Sequence, residues 1–241
     1  MSKFSKISEI DENYSNKIFL TFDIDWCSDE VLSYTLDIIE KYNIKATFFV
    51  THETKLLERM RANPNVELGI HPNFNPLLNG EFNYGKNAIE VISYYKKIVP
   101  ESISIRSHSL SHNGTFSSIY EKQGLKYDCN TYIPYYSDIL LSPWMDTNEN
   151  ILKIPHFFAD DGVLFQKTDL KSLTSIINKD GLKVLDFHPI HIFLNSENLE
   201  RYNNARPYLN NYDELQKHIN KSTYGVKDLF IDIIEEVLKN D

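Results

Sequence analysis

Short apolar runs and helix-period segments take turns along this chain, and each well-formed apolar run gives way to a cluster of polar residues. Lys17–Phe22 (KIFLTF), Lys45–Val50 (KATFFV), Val66–Ile70 (VELGI), Ser102–Arg106 (SISIR) and Lys183–Phe187 (KVLDF) have the length and composition of buried strands. Asp29–Tyr42 places Val31, Leu32, Thr35, Leu36, Ile38 and Ile39 mostly at helical spacing, with Ser28 and Asp29 positioned to cap it. Thr51–Arg61, Tyr84–Val99, Thr115–Gln123, Asp169–Lys179 and Val226–Leu238 read as further helices. Leu125–Tyr127, Ile151–Pro155 and Val163–Phe165 read as further short strands. Strand and helix therefore alternate about six or seven times, the pattern of βαβ units around a parallel sheet. For 241 residues a closed or nearly closed β/α barrel is the economical fold, with a doubly wound open sheet second. No G-x-G-x-x-G follows a strand, which weakens the dinucleotide-binding version of that second fold.

Charge narrows the partners. Lys and Arg number 25 against 34 Asp and Glu, a net charge of −9 with no long basic run. Phosphate backbones and anionic membrane surfaces both require clustered positive charge, so neither nucleic acid nor a membrane surface is expected as a partner. No stretch approaches the ~20 apolar residues of a membrane span. Cys27 and Cys129 lie too far apart in sequence for a disulfide framework or a CxxC metal knuckle. Residues 1–16 are polar and lack the apolar core of a signal peptide. They are expected to form a polar tail before a single domain over residues 17–241, in a cytoplasmic protein.

The polar residues are not scattered. In a β/α barrel the working side chains lie at the C-terminal ends of the strands. Here the first strand ends in Asp23-Ile24-Asp25-Trp26 and the third in His71-Pro72-Asn73-Phe74-Asn75. The next ends in Arg106-Ser107-His108, and the late strand in Asp186-Phe187-His188-Pro189-Ile190-His191. Carboxylates, imidazoles and an arginine thus recur at one geometric end of different strands. Tyr132–Tyr136 (YIPYY) is aromatic and polar enough to contact a sugar ring, whereas His52, His156 and His218 read as surface or packing histidines.

These segments, in this order, resemble the motifs of the polysaccharide deacetylase superfamily, the NodB-homology group of metal-dependent carbohydrate deacetylases. Thr21-Phe22-Asp23-Ile24-Asp25 resembles its T-F-D-D opening, Glu67–His71 the approach to its H-x-x-x-H metal motif, and Arg106 the arginine of its third motif. Lys126–Cys129 resembles its Y-D-S-S stretch, and Leu185–Pro189 the closing motif with its catalytic histidine. The H-P-N-F-N loop is similar to that of bacterial surface-polysaccharide (O-antigen) deacetylase-like proteins. Three positions depart from the pattern: Ile24 splits the acids, Asn75 replaces the second metal-binding histidine, and Arg-Ser-His replaces Arg-Pro-Pro.

The resemblance implies an α/β protein built as a distorted (β/α) barrel of about seven parallel strands. It also implies an N-deacetylase acting on an acetamido sugar of a surface-polysaccharide precursor. One divalent ion would be held by Asp25 and His71, with Asn75 or His108 completing the set; zinc is expected first, with cobalt, iron or nickel as alternatives. Asp23 would be the base, kept ionised by Arg106, and His188 the acid, tuned by Asp186 or His191. Trp26 and His191 would contact substrate. Two other readings stay open at this point. One is a different amide hydrolase on the same barrel, a deformylase or a metal-independent ring amidohydrolase; the other is a carbohydrate-binding relative without catalysis.

Overall fold

The computed structural model describes residues 3–146 and 150–239. One sheet of nine strands organises the chain: β1 Ile18–Asp23, β2 Ala46–Val50, β3 Val66–Ile70, β4 Ser104–Ile105, β5 Tyr127–Asp128, β6 Trp144–Met145, β7 Leu152–Lys153, β8 Phe158–Ala159 and β9 Lys183–Phe187. Their order is β6-β7-β5-β4-β3-β2-β1-β9-β8, curled into a half-barrel. The sheet has nine strands rather than about seven, and it is not wholly parallel, because β6 runs antiparallel to β7. β6 and β8, each two residues long, have no counterpart among the strands expected from the sequence.

The central strands β1, β2 and β9 are buried on both faces, as expected where helices cover a parallel sheet. Phe22 stacks on Phe48 at 4.6 Å, and Phe230, from the terminal helix Val226–Lys239, meets Phe22 edge-on at 5.7 Å. The helix Asp29–Tyr42 has the bounds expected from the sequence and buries Val31, Leu32, Thr35, Leu36 and Ile39; it stops where Asn43 turns left-handed. Among the described residues, no helix is long and apolar enough to cross a membrane.

Three expectations are corrected. Val163–Phe165 is not a strand: it closes the helix Asp160–Phe165, whose Val163 and Leu164 are buried while Phe165 is 76% exposed. Three apolar residues in a row fit either period, and here the acidic pair Asp160-Asp161 opens a helix. The segment at Leu170–Asn178 is helical but of the tighter 3₁₀ kind. Residues 3–16, expected as a polar tail, pack onto the sheet. Phe4 pairs with Ile18, Phe4 and Ile7 are fully buried, Ile7 N–H donates to Thr47 Oγ1 (3.0 Å), and Ser8 N–H donates to Glu67 Oε2 (2.9 Å). This segment closes the N-terminal end of the sheet, opposite the polar strand ends.

Candidate active site

Asp23 is the last residue of β1, and Asp25 lies just beyond it. His71 follows β3, Arg106 and His108 follow β4, Asp160 and Asp161 follow β8, and His188 follows β9. Parallel strands place all of these on one rim. There a cavity of about 360 Å³ is lined by Asp23, Asp25, Trp26, His71, Ser107, His108, Tyr132, His156, Asp161, Asp186 and His188, among others.

Arg106 is fully buried and is the hub of the floor. Its Nε donates to both oxygens of Asp23 (2.9 and 3.1 Å), Nη2 donates to Asp23 Oδ1 (2.7 Å) and to Asp186, and Nη1 donates to Thr21 Oγ1 (2.8 Å). The guanidinium lies 4.4 Å from the Phe49 ring centroid. Burial alone would raise the pKa of Asp23, but Arg106 and His71 outweigh it and hold Asp23 ionised, below the ordinary carboxylate range. Asp186 goes the other way: burial and the negative charge of Asp23 push it up, against the pull of Arg106.

Asp25, His71 and His108 form a second knot. His71 Nε2 is 3.1 Å and His108 Nδ1 2.8 Å from Asp25 Oδ2. One ligand atom from each of the three lies within 4.8 Å of the other two. Desolvation opposes charge on His71, yet Asp23 and Asp25 raise its pKa to about 9. The site therefore attracts a cation. His71 Nδ1 lies 3.2 Å from Asp23 Oδ1 but has no aligned hydrogen-bond partner. One carboxylate and two imidazoles, converging at the edge of a cavity, are the donor chemistry of a divalent site with an open position. The residues present fit the ion that the sequence motifs imply. Asn75 stands outside this knot: its amide donates to Ser109 Oγ at 3.4 Å, and it does not line the cavity.

His188 is held differently from expectation. Its Nδ1–H donates to Asp160 Oδ1 (2.7 Å), and its backbone N–H donates to Asp160 Oδ2 (2.8 Å). Burial disfavours the imidazolium, but Asp160 outweighs burial and pushes the pKa of His188 well above the ordinary histidine range. Asp186 instead engages Arg106. His191 is buried behind His188, with its Nδ1 3.1 Å from Ser196 Oγ, and does not line the cavity. Trp26 stacks on His188 at 5.1 Å and 14°, is 39% exposed, and walls the cavity. Its backbone is left-handed (φ 58°), as are Ser109 and Leu110 on the facing loop. Unusual backbone conformations thus gather at this rim.

Asp160, Asp161 and His156 were not singled out from the sequence as site residues. Asp160 and Asp161 follow β8, which is only two residues long, and His156 lies just before it, so nothing in the sequence marks this rim. The acidic pair ahead of an apolar run was the one available signal.

Residues 20–206 match the family model of the WbmS-like polysaccharide deacetylases. Among solved structures, the chain is similar to a protein from Bordetella bronchiseptica assigned to polysaccharide deacetylation in O-antigen biosynthesis. Identity is 38% and the TM-score 0.91, over 97% of this chain and 98% of that one. It also resembles, in fold alone, a family 4 carbohydrate esterase from Streptomyces lividans solved with acetate. There identity is 13% and the TM-score 0.50, over 92% of this chain and 88% of the other. No curated protein matches the sequence.

Proposed function

Since the chain belongs to the WbmS-like polysaccharide deacetylases, a family of hydrolases that cleave the amide bonds of sugars, we propose that it is a metal-dependent N-deacetylase. Its substrate would be an acetamido sugar within a nucleotide- or lipid-linked precursor of a bacterial surface polysaccharide, met in the cytoplasm. The Bordetella relative's role in O-antigen biosynthesis supports the substrate class. The observation that carries the reaction is the convergence of the Asp25–His71–His108 knot, the Arg106-bound Asp23 and the Asp160-bound His188 on one cavity. About 360 Å³ accommodates roughly one sugar ring with its acyl group.

Hydrolysis consumes one water and yields an amine and acetate. A divalent ion held by Asp25, His71 and His108 would acidify that water and polarise the amide carbonyl. Asp23 takes the water's proton. A carboxylate held this far down is a weak acceptor, so the reaction needs the water to be acidified. Arg106 fixes the orientation of Asp23 by binding both of its oxygens. His188 supplies the proton that lets the amine leave: Asp160 occupies Nδ1, so the proton comes from Nε2. Trp26, stacked on His188, restricts water at that nitrogen and offers a flat face to a sugar ring.

Acetate release from a panel of nucleotide-linked N-acetylhexosamines tests the reading. The wild type should release acetate, and Asp23→Asn should lower kcat by about a hundredfold or more. If no N-acetylated sugar yields acetate in the presence of zinc, cobalt or nickel, the reading is wrong.

A further inference from the structure

Two successive aspartates open the helix Asp160–Phe165, and their surroundings differ. Asp160 is fully buried and both of its oxygens serve His188, with Oδ1 also accepting from Asp161 N–H (2.8 Å). Asp161 is half-buried and lines the cavity. Its Oδ1 accepts from Gly162 N–H (2.7 Å); among the described residues no other hydrogen bond and no ion pair reaches its carboxylate. A carboxylate has about four acceptor sites, so most of those on Asp161 are open. The reaction does not use them, because Asp23 takes the water's proton, Asp25 belongs to the metal knot and Asp160 holds the acid.

The cavity offers this carboxylate no compensating cation. No lysine or arginine is among the described residues that line it, and Arg106, below the floor, is spent on Asp23, Asp186 and Thr21. In the free protein water reaches Asp161. A sugar that fills the cavity displaces that water, and a carboxylate stripped of water without a new donor is costly. The substrate itself must therefore bring the donor. Its place on the ring follows from His188: an Asp161 oxygen and a His188 ring nitrogen lie within 4.8 Å of one another. His188 delivers its proton to the amide nitrogen, so Asp161 faces the substituent of the adjacent ring carbon. In a sugar joined to its carrier through C1 and bearing the acetamide on C2, that substituent is the C3 hydroxyl.

Resting on the deacetylase reading, we infer that Asp161 is a specificity determinant that accepts a hydrogen bond from the ring hydroxyl next to the acetamide. The bond from Gly162 fixes the carboxylate and leaves Oδ2 for the sugar. An analogue without that hydroxyl, or with it methylated, leaves Asp161 dry and unpaired, which is the condition under which a hydrogen-bonding site discriminates most.

The test is calorimetric titration of UDP-N-acetylglucosamine, UDP-N-acetylgalactosamine and their 3-deoxy and 3-O-methyl analogues. The protein is zinc-loaded and carries Asp23→Asn to slow turnover, alone or combined with Asp161→Asn or Asp161→Ala. With Asp161 intact, a 3-deoxy analogue should bind roughly ten- to a hundredfold more weakly than its parent sugar, as expected for a hydrogen bond to a charged acceptor. Asp161→Ala should bind that pair equally. Asp161→Asn keeps an oxygen for Gly162 but loses the charge, so it should hold its thermal midpoint and discriminate only about two- to tenfold. A purely structural role for Asp161 would weaken parent and analogue alike and leave their ratio unchanged. The inference is overturned if parent and 3-deoxy sugars bind equally with Asp161 intact, if their ratio is the same in both Asp161 variants, or if none of the panel binds. Sugar that binds with this discrimination but releases no acetate when Asp23 is restored would count against the deacetylase reading and leave the hydroxyl contact standing.

Discussion

At the residue scale, His188 and Arg106 show how burial and partners set the chemistry. The bond from His188 to Asp160 raises the folded-state pKa of the imidazole, and its acid form is the one the reaction uses. Activity should therefore hold through neutral pH and fall as pH rises through that raised value. Asp160→Asn removes the charge that raises it, so the alkaline fall of kcat/KM should move down by roughly one pH unit or more. A pH–rate profile unchanged in that variant would disconnect Asp160 from the acid. Arg106 answers to a different test. Replacing it with Ala leaves Asp23 and Asp186 buried without their cation, at a cost of about 3–5 kcal/mol, visible as a lower midpoint in urea. His71 gives the sign of a pH-dependent stability. In metal-free protein its pKa is about 9 against ~6.5 unfolded, so the folded state binds more protons between those values. Chelated protein should lose thermal stability as pH rises from ~6.5 toward 9. Zinc-loaded protein, whose ligand imidazole is already deprotonated, should not follow it. Asp23, Asp25 and His71 were legible because β1 and β3 are long enough to show where they end, and Arg106 because it closes the run Ser102–Arg106, of which only Ser104–Ile105 pairs as strand. Asp160 was not, because the residues before it carry no period and the run after it fits strand and helix alike.

At the element scale, the strands with a clear apolar run were readable almost to the residue, and β3 coincides with Val66–Ile70. Helix starts were harder. Thr51–Arg61 begins only at Leu57, after a turn in which Thr54 Oγ1 accepts from Leu56 N–H, and Tyr84–Val99 begins at Ala88, where the Asn87 side chain accepts from Glu90 N–H. A threonine turn sets the first of these starts and an asparagine cap the second, and polar residues upstream of an apolar face do not reveal which of them does so. β3 also carries a steric requirement. A Cβ on Gly69 would lie 2.5 Å from Phe49 Cδ1 and 2.8 Å from Ser104 Oγ, and Phe49 is the ring beneath Arg106. Gly69→Ala should destabilise the protein by about 1–3 kcal/mol in urea unfolding and lower activity by disturbing that ring. A variant as stable as the wild type would show that the strands part more freely than this packing implies.

At the scale of the whole molecule, one end of the sheet does chemistry and the other is closed by the chain's own N-terminal segment. Composition hid that closure: residues 1–16 read as polar because Phe4, Ile7 and Ile10 are dispersed among charged and hydroxylic neighbours, yet Phe4 and Ile7 are fully buried. Removing residues 1–10 should cost about 3–6 kcal/mol, from two buried side chains at ~1.5–3 kcal/mol each. Differential scanning calorimetry would register this as a lower melting temperature, and an unchanged one would mean that the segment contributes nothing to the core. The account depends most on the knot at the opposite end. There β1, β3 and β4, far apart in sequence, deliver Asp25, His71 and His108 to one point, while Asn75, opening the short helix Asn75–Leu78, bonds Ser109 instead. The deciding measurement is metal content by elemental analysis after zinc loading and gel filtration, compared across wild type, His108→Ala and Asn75→Ala. The account predicts about one zinc per chain in the wild type and in Asn75→Ala, and loss of the ion in His108→Ala. Zinc kept by His108→Ala but lost by Asn75→Ala, or no zinc in the wild type, would contradict it.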